Sequence, residues 1–328
     1  MNNNYLKINI RFLAVLWVLF PLTLFAMPDT NHTAKPDSVR YWKFSGNTGL
    51  TFNQLSLTNW ASGGESSASG KVNANTKLVY NKNRFQFESI SKLAYGIVGY
   101  GGKRIEKTED RIDLATSATI NSDKNWAFSS VLSLKTQFAN GYKYPNDSTL
   151  ISTFFAPGVV NASIGYRYKK SDVFELFLSP ASGKFTFVLN QELANKGAFG
   201  VKPAVKDTNG MVLVPGSNLF GEFGFNLLAN FAKEVSKNIE LSSTLNLYNN
   251  YLDDNFSNRW NIDVDWETTI NFTINKRVQT VLFMQLKYDH NVKLPVFEVV
   301  DGEKVQIGEA PKLQFKESLG IGITYNLG

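Results

Sequence analysis

Charged residues in this chain recur at alternate positions, and their signs are sorted along its length. Lys43, Lys71, Lys77, Lys92, Arg111, Lys135 and Arg167 are opposed in the first half by Glu88 and Asp113. Glu175, Glu222, Glu240, Asp263, Asp265, Glu267 and Asp289 follow in the second half, against Lys287 and Lys316. If one face of a sheet carries both sets, two outcomes are open. Opposite charges meet across a narrow space and fill it with ion pairs, or they set a transverse field across a small aqueous pore that orients polar solutes.

Catalytic chemistry has little to work with. The chain has 2 histidines and no cysteine. His32 lies in a polar leader. His290, between Asp289 and Asn291, falls near the end of a strand-like run, where a lipase-type histidine would meet a serine or carboxylate. The plainer reading is a polar cap at a strand–loop junction, so no catalytic residue and no enzyme activity are expected. There is no histidine cluster or cysteine pair for zinc. Asp147, Asp253, Asp254 and Asp301 match no calcium-loop spacing. Gly63-Gly64 and Gly101-Gly102 do not sit between a strand and a helix, as a phosphate loop requires. No metal or cofactor is expected. A formal charge of +6, of which Lys7 and Arg11 supply two units, is too mild and too evenly spread to argue for nucleic acid.

The elements that must position these charges are strands. Side chains alternate between two faces of a strand, and about twelve period-two runs can be counted. Clear ones include Ile112-Leu114-Thr116-Ala118-Ile120, Val160-Ala162-Ile164-Tyr166-Tyr168 and Phe223-Phe225-Leu227-Ala229-Phe231. Their connections alternate in length. Short polar turns fall at 81–83, 121–125, 169–172, 233–238 and 275–277, and longer segments at 54–69, 97–108, 139–153, 180–217, 251–258 and 291–312. That parity predicts an all-β fold, an up-and-down antiparallel transmembrane barrel of about twelve strands, with short turns in the periplasm and long loops outside. Tyr80, Tyr95, Trp126, Phe138, Tyr166, Tyr168, Tyr288 and Tyr325 sit at run ends, where interfacial aromatics belong. Residues 148–166 are uncharged, but Pro157, Gly158 and Asn161 argue against a spanning helix. Simple alternation turns Glu317 outward, so a bulge or an interfacial position is expected there.

Ahead of the barrel, Lys7 and Arg11 precede an apolar run from Phe12 to Phe25, too short to span a bilayer as a helix. Residues 1–26 therefore read as a cleavable signal peptide, 27–40 as a periplasmic lead-in and 41–328 as the barrel domain. The 25 Phe and 13 Tyr beside a slightly negative mean hydropathy fit strands that face two solvents.

Several segments resemble an uncharacterised barrel family widespread in Bacteroidetes, catalogued as domain of unknown function 3078. They are NWASGGESS at 59–67, DRIDLAT at 110–116, KTQFANGYKYPND at 135–147, SPASGKFTFVLNQELANKGAFGV at 179–201, NIDVDWE at 261–267 and LQFKESLGIGITY at 313–325. The resemblance extends over 41–327 and implies an outer-membrane address in a Gram-negative cell, with no activity or ligand attached. The ending YNLG departs from the aromatic last residue that barrel termini commonly carry.

The longest segment, 180–217, holds Phe185, Phe187, Leu189, Leu193 and Phe199. So much apolar surface implies that it packs, either on itself to stabilise the rim or inward as a lid over the mouth. The expected function is a narrow channel or solute-uptake barrel with this loop in or over its mouth. The alternatives are a structural or interaction barrel with an ion-pair-plugged lumen, and an outer-membrane lipid hydrolase using His290. Expected partners are outer-membrane lipid, the barrel-assembly machinery during insertion and a small polar solute.

Overall fold

A computed structural model describes residues 41–57, 65–101, 104–121, 125–300 and 303–327. The expected signal peptide at 1–26, the expected lead-in at 27–40 with His32, and Gly63, Gly64, Gly102, Asp301 and Gly328 lie outside the described residues.

Period-two patterning is realised as a closed antiparallel barrel of twelve strands. In chain order they are β1 (Trp42–Leu55), β2 (Ser67–Lys82), β3 (Phe85–Tyr100), β4 (Arg104–Asn121), β5 (Trp126–Thr136) and β6 (Gly158–Lys169). There follow β7 (Phe174–Phe187), β8 (Leu219–Ser236), β9 (Ile239–Asn250), β10 (Asp263–Thr273), β11 (Val278–Tyr288) and β12 (Gln314–Leu327). Each strand pairs with the next, and β1 closes on β12 from Gly46↔Leu327 to Phe52↔Ile321. Closure leaves no unpaired edge, which is what a sheet surrounded by hydrocarbon requires. Among the described residues no helix is long and apolar enough to cross a membrane.

Residues directly opposite in a ladder share a face. Parity can therefore be carried round the barrel, from Thr51↔Lys71 and Asn75↔Lys92 through Lys92↔Asp113 and Asp113↔Lys135. The outward set includes Val72, Ile164 and Ile323, each more than half exposed. An apolar outer surface of this kind is what a barrel presents to lipid. Aromatics cluster at the short-turn end, where Trp42 meets Tyr80 and Trp126 meets Tyr168, each with ring centroids 4.9 Å apart. Glu317 faces outward opposite Met284 in an uninterrupted register, so no bulge accounts for it.

Two of the expected loop boundaries are corrected. The segment 97–108 is mostly strand: β3 and β4 stay paired out to Tyr100↔Arg104, past a bulge at Gly96. The segment 180–217 begins too early, because β7 continues to Phe187. Pro180 lacks an N–H and reads as a strand stop. Here it is the extra residue of a bulge towards both neighbours: Ile164↔Ala181 gives way to Tyr166↔Leu178, and Gly224↔Ser182 to Asn226↔Ser179. No ladder hydrogen bond is lost at an unpaired residue. Ser179 Oγ donates to the carbonyls of Ile164 (2.8 Å) and Ala181 (2.9 Å), and a Cβ at Gly165 would run into the Leu178 carbonyl. Phe185 and Phe187 are consequently strand residues facing outward, not part of a lid.

Beyond β7, Val188 to Asn218 form the outer cap. A short helix α1 (Gln191–Asn195), capped by the Asn190 side chain accepting from Leu193 N–H at 3.0 Å, leads into a 3-10 turn at Ala198–Gly200. Ala156, Val188, Leu193, Ala194 and Val201 make a small buried core, against which Phe199 and Phe220 pack. Gly200, at φ +84°, is the close approach: a Cβ there would lie 3.5 Å from Asn291 and 3.6 Å from the ring of Phe220.

Candidate functional site: the barrel lumen

One side of the lumen is filled. Inward positions of β4 to β7 carry small hydroxyls, and Thr119, Ser129, Ser163, Ser179 and Ser182 are all buried. They bond across strands, Thr119 to Ser129 at 2.9 Å and Ser163 to Ser182 at 2.6 Å. Small side chains leave room for the rings of Phe177 and Tyr248, which are 2 % and 4 % exposed. Water-accessible space is thereby pushed towards β1–β4 and β9–β12.

In that remaining space, ion pairs cross the barrel. Arg111 on β4 bonds Glu267 on β10, strands six places apart in the ring of twelve and therefore diametrically opposite. Arg111 also holds Asp113 at 3.3 Å. Lys135 on β5 reaches Asp265 at 3.0 Å, and Lys287 stands 4.0 Å from the same carboxylate. Gln285 ties the two acids together, its Nε2 donating to Asp265 at 2.8 Å and to Glu267 at 2.9 Å. Lys316 on β12 binds Glu109 on β4 at 2.6 Å. These groups form a layer across the lumen. A cavity of about 450 Å³ lies on the long-loop side, lined by Lys107, Tyr142, Tyr144, Lys287 and Lys316 among others. Another of about 530 Å³ lies on the short-turn side, lined by Lys71, Lys92, Asn73, Glu240 and Lys276 among others. Arg111 and Glu109 line both.

A second polar cluster sits under the outer cap. Lys184 Nζ is 3.0 Å from Glu222, 2.9 Å from Asp263 and 3.5 Å from Asp289, and lies 5.1 Å from the Tyr248 ring centre. Asn291 Nδ2 donates to Glu222 at 3.4 Å, on the residue that Gly200 approaches. The cap therefore rests on the residue that closes this cluster. Leu193 is in the cap core, Phe199 packs against it, and Leu189 remains 41 % exposed.

Parity places every residue of the two charge-sorted sets inward, but they do not form two uniform walls. Arg111 and Lys135 are brought to Glu267 and Asp265. Arg167 pairs instead with Glu175 on the neighbouring strand, at 3.4 Å, and Lys77 with Glu88 at 2.9 Å. Lys43 stands exposed near the short-turn end. Lys71, Lys92 and Glu240 are left around the inner cavity. Lys184 puts a cation in the middle of the acidic side, and Glu109 an anion on the basic side. Lys184 escapes a sequence reading because 180–217 looks like a loop, and Glu109 because it directly adjoins 97–108, which looks like another. His290 meets the Tyr288 hydroxyl at 3.3 Å through Nδ1, while its backbone N–H donates to Asp263. Among the described residues no group of three or more His, Cys, Asp and Glu is arranged to hold a metal ion.

A sequence model of the family described as "Protein of unknown function (DUF3078)" matches residues 52–142, the stretch that supplies Lys71, Lys92, Arg111 and Lys135. The similar segments at 179–201, 261–267 and 313–325 lie outside that match. No curated protein matches the chain. Among solved structures, the NanC porin aligns over 86 % of this chain and 100 % of its own at 8 % identity, with a TM-score of 0.36. The translocator domain of the autotransporter NalP from Neisseria meningitidis aligns over 96 % and 97 % at 9 % identity (TM-score 0.29). A mutant of the TodX monoaromatic hydrocarbon channel aligns over 87 % and 89 % at 8 % identity (TM-score 0.33). Likeness at this level carries no functional inference.

Proposed function

We propose that this chain, exported by residues 1–26, is an outer-membrane barrel that acts as a narrow gated channel for small polar solutes, with the ion-pair layer as its gate. The observation that carries the reading is the Arg111–Glu267 bridge between diametrically opposite strands, with a polar cavity on either side of it. A barrel that merely needed filling would be served by apolar side chains. Cross-lumen charges keep water on both sides and part without leaving a hydrophobic face exposed. The cap over Lys184 narrows the outer mouth in this reading.

One specific observation favours a second reading, a barrel plugged for structural reasons. Gln285 and Lys287 bind the same carboxylates as the crossing cations, so the layer is cross-braced. Liposome swelling with purified protein separates the two. The channel reading expects slow swelling with small polar solutes, accelerated several-fold when Glu267→Gln is introduced. Swelling that stays at the protein-free rate for wild type, for Glu267→Gln and for a chain lacking 191–214 would leave only the plugged barrel.

A further inference from the structure

The inner cavity is electrically lopsided in a way the gate does not use. Arg111 and Glu267 there are already paired, and Glu109 is held by Lys316. Four other cations line the same space: Lys71 on β2, Lys92 on β3, and Lys276 and Arg277 on the short turn between β10 and β11. Among the described residues, none of the four has an ion-pair partner within 4.0 Å. The one unpaired carboxylate facing them is Glu240, whose contact is the Asn271 amide at 3.4 Å. Asn73 adds an amide to the same wall.

We propose that this short-turn-side chamber binds a small multivalent oxyanion, a solute carrying two or more phosphate or carboxylate groups. The chemistry is direct. Each oxyanion group takes charge-assisted N–H donors from lysine and from the guanidinium fork of arginine. Lys71 and Lys92 come from neighbouring strands, while Lys276 and Arg277 approach from a turn three to five strands further round the ring of twelve, so a ligand with two anionic ends engages both. A volume of about 530 Å³ admits a molecule of that size with water around it. Partial enclosure by protein strengthens the pairing relative to bulk water. This inference rests on the barrel lumen alone and does not depend on whether the gate ever opens.

Isothermal titration of the full barrel in non-ionic detergent, with pyrophosphate in one arm and citrate in the other, tests it. Binding of either anion is expected, and the stronger arm identifies the group that is read. Lys71→Gln with Lys92→Gln should weaken it at least tenfold. Lys71→Arg with Lys92→Arg should retain it, which separates lost charge from a misassembled barrel. Lys196→Gln, on the outer cap, should leave it unchanged. The proposal is overturned if neither anion binds at millimolar concentration, or if the double Gln variant binds as tightly as wild type. Failure here with intact liposome swelling would remove the anion chamber and leave the channel; anion binding without swelling would do the reverse.

Discussion

Lys184 is the residue on which the outer half of the lumen depends. It is 14 % exposed and faces three carboxylates, of which Glu222 is 1 % exposed at the side chain. Replacing it with methionine keeps the volume and leaves buried negative charge uncompensated, a change that costs roughly 3–5 kcal/mol. We expect Lys184→Met to lower the midpoint of barrel unfolding in denaturant, followed by heat-modifiable gel mobility. Double replacement with Glu222→Gln should recover part of the loss, because the anion left without its partner is then gone. An unchanged midpoint in the single variant would show that water, not Lys184, satisfies these acids. His290 makes the contrast. Its ring meets the hydroxyl of Tyr288, and we expect His290→Ala to leave the phospholipid and lipid A profile of the cell unaltered.

At the scale of elements, the bulge at Pro180 is the hinge of the design. Below it the inward residues of β7 are Glu175, Phe177 and Ser179; above it they are Ser182, Lys184 and Thr186. Deleting Pro180 should restore a regular ladder with Lys184 still inward, because the extra residue is what lets Ser179 and Ser182, three apart, share a face. Pairing residue 180 as ordinary strand would instead turn Lys184 outward, since a one-residue slip exchanges the two faces of a strand. Gly165→Val attacks the same feature from β6, where a side chain would meet the Leu178 carbonyl. Crowding of this kind costs about 1–3 kcal/mol, and the measurement is again the unfolding midpoint, with Gly99→Val, where a Cβ finds only Ala68 O at 3.9 Å, as the tolerant comparison. This bulge also marks where the sequence stops being readable. Strand count, direction and inward parity follow from alternation and from the spacing of polar turns, because both are local properties. Pro180 looks like an end because proline ends most strands, and nothing near it in sequence reveals that its neighbours leave it unpaired. Lys184 and the outward Phe185 and Phe187 were hidden for that reason.

Across the whole molecule, the lumen is closed by contacts that alternation cannot reveal. Parity says that Arg111 and Glu267 both face the lumen; it does not say that they stand at one height, 156 residues apart in the chain, and meet. That needs the closure of the barrel and the stagger of its strands. Nor does it show that hydroxyls and two rings fill one side, leaving the cavities to the other. The central claim is that the ion-pair layer is what shuts the pore. Single-channel recording in planar bilayers tests it most directly, with Arg111→Gln, Glu267→Gln and the exchanged pair Arg111→Glu with Glu267→Arg. Each neutral variant should show long-lived openings where wild type shows rare, brief ones, and the exchanged pair should return to the closed pattern. Equal silence from all four proteins, or equal conductance, would contradict it.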